Sequence, residues 1–416
     1  MIDINSDINN LLVLVGQNGA GKTHQLNVAL ENIENGIMIT EDGMPQFSRA
    51  INKVNIDEVN MVYLYKNEEK RGTYTNQDEQ VRISESAEQI VKYCLKIVNQ
   101  LSKILNKSKG QEKLDNMMKA FLEYNFNNIK YVFFDEPENF LDEEYLKVVG
   151  NLINKLIEKR FIVRIATHNA RLLKILDINI ENIVLMNYRT IISVSQNEII
   201  DLYRVAAKEI NEIKDRNKMD EDGGIKYKLS LADHLPVLES FIEQNIKSEE
   251  FYRCLFCSQI IIVEGDSDVI ALKAIKNEFD LSVGIFSSNG KAFIPFFCKL
   301  YLKLGKKVVV VIDDDHKSKK NAGNLNSSVA LTEVLKKYFE DRLIKLVLHE
   351  PDLEKFYGIN LDKIADEINM SSNVKKRNSG WLKYIASFMF FKTSENKEML
   401  KNHIIGRKDE INYEFE

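Results

Sequence analysis

Short uninterrupted apolar runs, each closed by a polar turn, set the rhythm of the chain. The first is LLVLV (11–15); KYVFFD (130–135) and FIVRIATH (161–168) repeat the type. Runs of this length without polar alternation predict buried strands of a parallel sheet. Between them the apolar spacing becomes helical. Residues 84–126 predict a helical hairpin broken at NKSKGQEK (106–113), and 143–159 a helix joining two strands. Strands alternating with helices mean an α/β domain with a mostly parallel sheet. Near residue 200 the pattern changes to YRVAAKEINEIKDRNKMDEDGGIKYKLS, read as helix, loop and boundary, and 231–257 is again helical. Alternation then resumes with QIIIVEG, VGIFSS, KKVVVVIDDD and IKLVLHE, a second and smaller α/β domain with a helical tail after about 360. The expected division is 1–200, a helical linker over 201–257, and 258–416.

Bulk properties narrow the class. With 416 residues, 44% apolar and 29% charged, two globular domains are expected. A net charge of −5 excludes polyanion binding by overall charge, so a nucleic-acid site must be a local basic patch. Apolar runs stay well short of a membrane span, and the acidic, polar start MIDINSDINN is not a signal peptide. Cys254 and Cys257 form a lone CxxC without a second pair of ligands. With Cys94 and Cys298 they read as reduced, buried thiols, which implies a cytoplasmic location.

Two stretches carry chemistry. GQNGAGKT (16–23) satisfies the full phosphate-loop pattern between a strand and a helix. Gly16, Gly19 and Gly21 let the backbone wrap a phosphate, and with Asn18 and Ala20 they form the loop whose amides point at it. Lys22 reaches the β- and γ-phosphates, and the Thr23 hydroxyl binds magnesium. YVFFDEPENFLD (131–142) then delivers Asp135, to support magnesium, and Glu136, to orient the attacking water. His168 ends the next strand as a γ-phosphate sensor. The second stretch is IIIVEGDSDVIAL (260–272), with Glu264, Asp266 and Asp268 at a strand end, followed some 45 residues later by VVVVIDDDHK. Asp313 and Asp315 share one side of an extended segment and Asp314 turns away. Carboxylates gathered from two strand ends repel unless a cation joins them, and Mg²⁺ or Mn²⁺ suits oxygen ligands. Glu264 is then both ligand and general acid or base, and Asp268 a ligand of a second ion. Lys303, Lys306, Lys307, Lys317, Lys319, Lys320, Lys375, Lys376 and Arg377 are expected beside this site, either as a solvated face or as contacts to a phosphate backbone.

The phosphate loop, DEPENFLD and the histidine-bearing strand end resemble ABC-type ATPases over roughly residues 11–190. That resemblance implies a homodimer with ATP between the heads. ISESAEQ (83–89) is similar to the family's signature, with Ser84 or Ser86 as the contact, but lacks its glycine. The chain starts almost at the phosphate loop, so the family's preceding strands are expected to be missing or supplied differently. The strand to Glu-Gly followed by a strand to Asp-x-Asp resembles the Toprim fold. Joined in this order, with SSNGKAFIPFFCKLYLKLGKK between, the two resemble the OLD family of ATP-dependent nucleases. Gabija-type defence nucleases and some retron effectors share the architecture. The resemblance implies metal-dependent cleavage of DNA, with RNA or tRNA as an alternative substrate and a nucleotide-switched sensor without cleavage as another. It also implies a role in anti-phage defence, possible partner proteins or RNA, and no membrane. It adds Glu354 in HEPDLEKFYG (349–358) as a further metal carboxylate, Asp352 as a weaker one, and Lys376 or Lys383 as a lysine near the scissile phosphate.

Overall fold

A computed structural model describes residues 4, 9–48, 73–76, 79–82, 85–122, 129–187, 190–216, 235–279, 282–314, 327–340, 344–368 and 379–405. The chain divides into two compact units, Met1–Ser193 and Val194–Glu416.

The first unit is built on a seven-stranded sheet. Its strands are β1 (Leu11–Val15), β2 (Gly36–Ile39), β3 (Pro45–Phe47), β6 (Tyr131–Asp135), β7 (Ile162–Thr167), β8 (Ile183–Asn187) and β9 (Thr190–Ile192); β4 (Thr73–Asn76) and β5 (Glu79–Arg82) pair separately as a hairpin. The order is β3-β2-β6-β7-β1-β8-β9. The inner strands are parallel, while β3 and β9 close the edges antiparallel. Two inner strands, β2 and β8, escape the apolar-run reading because GIMI and IVLMN are short and adjoin loop-like sequence. Their burial between neighbours comes from tertiary pairing, which overrides weak local preference. The helical hairpin forms from Glu85–Leu101 and Lys109–Ala120. The second helix begins inside the stretch expected to break it. Ser108 and Gln111 form a reciprocal capping box, each side chain accepting from the other's backbone N–H, so the polar residues start the helix.

The second unit carries a four-stranded, wholly parallel sheet ordered β11-β10-β12-β13: β10 (Gln259–Val263), β11 (Val283–Ser287), β12 (Lys307–Asp313) and β13 (Lys345–His349). Ile261, Val263, Val309, Val311 and Val347 point into one core with Leu272, Leu353, Ala386 and Phe391. Helix Gln196–Arg216, expected partly in a linker, packs against helices Ile294–Lys303 and Ser327–Glu340 of this unit. Tyr203 lies edge-on to Phe296, and Lys299 and Lys303 pair with Glu209 and Glu198. Cys254 and Cys257 sit at the end of helix Glu249–Leu255 as free thiols, Cys254 fully buried and Cys257 partly. No described helix is long and apolar enough to cross a membrane.

Candidate functional site

In the first unit, sheet register brings the loop and the acidic turn together. Val15 lies beside Thr167, and Asp135 beside Ala166, so β1, β6 and β7 end at one edge. All three glycines of the loop are required by geometry, Gly19 through its φ of 81°. A Cβ on Gly16 would lie 2.4 Å from the Met186 carbonyl, and Gly21 has φ 90°. Asn18, Gly19 and Ala20 form the turn between them, with Ala20 N–H donating to the Gln17 carbonyl. Lys22 folds back over the loop, donating to the carbonyls of Gly16 (2.8 Å) and Gln17 (3.2 Å), and its Nζ lies 3.8 Å from Glu136 Oε1. Thr23 Oγ1 donates to Asp135 Oδ1 at 3.0 Å. Burial lifts the Asp135 carboxyl above its usual range, with repulsion from Glu136 and Glu41 added.

Glu136 occupies a left-handed backbone conformation, φ 45°, that side chains rarely adopt. Its N–H donates to Ala166, its carbonyl accepts from Lys113 Nζ at 2.9 Å, and Asn139 donates to its Oε2. Burial pushes its carboxyl up, but the Asn139 hydrogen bond and the charges of His168 and Lys22 outweigh that and hold it below the ordinary value. His168 Nδ1 lies 3.2 Å from Glu136 Oε1 and 3.6 Å from Glu138 Oε1. Glu138, raised by burial, accepts from the Thr167 hydroxyl and the His168 N–H and so anchors the histidine. Lys113 and Glu138 escaped the sequence analysis. Lys113 sits in the stretch taken as a polar break, and Glu138 was visible only as a letter within DEPENFLD. Burial holds Lys113 down to about 8, against attraction from Glu138, Glu41, Asp42 and Glu136. Ser84 lies outside the described residues, as does the Ser86 side chain.

The second site forms at the C-terminal edge of the small sheet, where parallel α/β sheets place ligands. β10 ends before Glu264, and Gly265 turns the chain into helix Asp266–Ala274, which carries Asp268 inward and leaves Asp266 exposed. Asp313 ends β12 directly beside His349, the last residue of β13. Ligand atoms of Asp268, Asp313 and His349 all lie within 4.8 Å of one another. His349 Nδ1 is 3.8 Å from Asp268 Oδ1 and 3.7 Å from Asp313 Oδ1, too far for hydrogen bonds. Ligands around an ion at about 2.1 Å stand about 3.0 Å apart when adjacent and about 4.2 Å apart when opposite, so separations of 3.7 and 3.8 Å leave room for a cation between them. Asp268 Oδ1, both ring nitrogens of His349 and Glu354 Oε1 are buried without a hydrogen-bond partner among the described residues. Burial drives the Asp268 carboxyl well above its usual range, with Asp313 and Glu264 repelling it further. A divalent cation fits this donor set and relieves that repulsion.

Around these groups, Lys291 donates to the Asp313 carbonyl and to Thr332 Oγ1, both at 2.8 Å, and its Nζ lies 3.4 Å from Glu264 Oε2. Lys383 donates to Glu354 Oε2 at 2.9 Å; its pKa, which burial would lower, is raised above normal by Glu354, Asp313 and Asp352. Asp352 caps its short helix, accepting from Lys355 N–H. Asp314 is turned to Lys336, which donates to it at 2.8 Å. Asp315, Lys376, Lys317, Lys319, Lys320, Lys375 and Arg377 lie outside the described residues. The expected basic patch at Lys303, Lys306 and Lys307 is corrected. Lys307 starts β12, about 20 Å along the strand from Asp313, and Lys303 and Lys306 precede it at the same end. Lys303 pairs with Glu198, and Lys306 is buried, donating to the Leu255 carbonyl. His349, absent from the expected set, was written in HEPDLEKFYG, but a lone histidine after a strand has no spacing signal.

Residues 255–315 match the model of the "Overcoming lysogenization defect protein-like, TOPRIM domain" family. This part of the chain is an OLD-like Toprim domain. No curated protein matches the chain. Similar solved structures include an inward-facing metal-chelate type ABC transporter (18% identity, 46% of this chain and 75% of that one, TM-score 0.28). Others are a dimeric post-hydrolysis ATP-binding cassette bound to ADP and Pi (16%, 45% and 86%, 0.28) and cbiO1 from Clostridium perfringens, part of an ABC transporter complex (13%, 50% and 88%, 0.29). Likeness at that level carries no weight by itself. The ABC ATPase-like character of the unit before the Toprim domain rests on its own phosphate loop, DEPENFLD turn and strand order.

Proposed function

We propose that the protein is a metal-dependent nuclease of the OLD type that nicks or cleaves DNA, with cleavage regulated by ATP in the first unit. The observation that supports this most is the Asp268, Asp313 and His349 cluster, with its orphaned buried atoms, at the edge of the Toprim sheet and next to Glu264. Asp268, Asp313 and His349 would hold the ion, and Asp315 and Glu354 extend the set. A divalent ion bound there would lower the pKa of a water and offset negative charge on the leaving oxygen. Glu264 takes or returns the proton, held in place by Lys291. Lys383 carries positive charge at the site, where it can pair with a scissile phosphate when it leaves Glu354. In the first unit, Lys22 and the loop amides bind the triphosphate, Thr23 and Asp135 hold Mg²⁺, Glu136 orients water, and His168 contacts the γ-phosphate. Two heads closing on ATP would couple the sites, and the same reading places the protein in anti-phage defence.

The test is incubation of the purified protein with supercoiled plasmid, linear DNA and tRNA, with Mg²⁺ or Mn²⁺, with and without ATP. Nicked or linear plasmid that depends on metal and changes with ATP supports the proposal. Cleavage of tRNA alone replaces the substrate, and no cleavage of any substrate overturns it.

A further inference from the structure

His349 is the element of the second site that a carboxylate pattern does not call for. It is 1% exposed, and neither ring nitrogen has a hydrogen-bond partner among the described residues. A buried imidazole ordinarily donates from one nitrogen and accepts at the other. Its ring is confined by Phe356, Tyr357 and His403, with centroids 5.5, 5.6 and 5.5 Å away. Packed so, its Nδ1 stands 3.7 Å from Asp313 Oδ1 and 3.8 Å from Asp268 Oδ1, outside hydrogen-bond range. Strand pairing holds the histidine there, because Asp313 and His349 are register partners on adjacent strands.

We propose that His349 is a direct nitrogen ligand, through Nδ1, of the ion held by Asp268 and Asp313, and that it makes this centre select a first-row transition ion over Mg²⁺. Mg²⁺ keeps hard oxygen ligands and sheds water reluctantly, whereas first-row transition ions accept an imidazole nitrogen, Mn²⁺ the most weakly of them, so an advantage for Mn²⁺ is a stringent test. The inference rests on the second site being a metal centre, and it does not depend on cleavage.

The experiment uses the full chain without nucleotide and titrates Mn²⁺ and Mg²⁺ separately by calorimetry. The second-site event is the one lost in Asp268→Asn. Mn²⁺ should bind there about tenfold or more tighter than Mg²⁺. Pulsed EPR of the Mn²⁺-loaded protein should show nitrogen coupling that changes frequency when histidine is ¹⁵N-labelled. His349→Gln should lose that coupling and most of the Mn²⁺ advantage. If that variant does not fold, the labelled wild-type spectrum decides alone. Second-site Mn²⁺ without nitrogen coupling, equal affinities for the two ions, or no second-site binding overturns the proposal. Plasmid cleavage on the same samples separates the two claims. Nitrogen coupling without cleavage upholds the ligand and sinks the nuclease reading, while cleavage with equal Mg²⁺ support and no coupling does the reverse.

Discussion

The two carboxylate sites are built to opposite electrical designs. In the first unit the acidic turn is met by protein donors and cations: Thr23 on Asp135, Asn139, Lys22 and His168 on Glu136, and Thr167 with the His168 amide on Glu138. In the second, Asp268 and Asp313 face one another across a histidine, and no described lysine or arginine forms an ion pair with Asp268. Lys291 and Lys383 reach instead the outer members, Glu264 and Glu354. A site balanced by its own side chains can stay ordered while empty and then receive a polyanion that brings its own metal. A site short of positive charge is completed only by a cation. Burial lifts the Asp135, Glu138 and Asp268 carboxyls alike; at Asp268 the repulsion from Asp313 and Glu264 adds to it, whereas at Glu136 the Asn139 hydrogen bond and the charges of His168 and Lys22 outweigh it.

The largest expected effect breaks the second site alone. Asp313→Ala, and separately Glu264→Ala, should lower metal-dependent cleavage by about 10³-fold or more, since the ion's contribution is several kcal/mol. ATP affinity, measured by calorimetry, should not change. Wild-type cleavage by Glu264→Ala would refute its role outright.

Next come the donors of the first site. Lys22→Ala should abolish ATP binding, and Glu136→Gln should keep binding while slowing hydrolysis by about 10²-fold or more. Phosphate release at the wild-type rate in Glu136→Gln would assign the water to another residue.

Lys113 sharpens the comparison further, as a buried cation that serves the first site through the Glu136 backbone. Lys113→Met should slow hydrolysis by about tenfold with little change in ATP affinity, because it loosens the strained turn rather than a phosphate contact. A pH signature accompanies it. The lysine's folded pKa, about 8, lies below its ordinary value of 10.5, so the unfolded chain binds more protons between those values. Its contribution therefore becomes more favourable as pH rises from about 8 to 10.5. The unfolding free energy of the wild type should gain on Lys113→Met across that window, and parallel curves would show that Lys113 is not held down by burial.

The smallest effect is expected at Asp314. Its carboxylate serves Lys336, which also pairs with Glu333 and is partly solvated. Asp314→Ala should keep most cleavage and, since it removes a buried partner but leaves Lys336 paired with Glu333, cost about 1–3 kcal/mol in a denaturant melt. A dead Asp314→Ala beside an active Asp313→Ala would reverse the assignment of the two carboxylates.

How much was legible from residues alone follows the range over which each signal acts. The phosphate loop is read locally, since its spacing, its strand and its helix all lie within a short segment, and Gly21 at φ 90° shows why that letter is required. The uninterrupted valines before Asp313 likewise announce a strand end with carboxylates, whatever surrounds it. β2 and β8 were not legible, because their few apolar residues become strands only when neighbours satisfy their backbones. Lys113 looked like a helix breaker's neighbour until Ser108 and Gln111 capped the helix beneath it. Lys306 looked like surface charge until the strand direction carried it to the far edge of the sheet. Sequence by itself placed the phosphate loop and the carboxylates at the strand ends, because those depend on residue type and short spacing. Only the tertiary structure decided which charges face one another. That depends on strand order and register, and it is register that sets His349 beside Asp313 and leaves its nitrogens turned toward no other described partner.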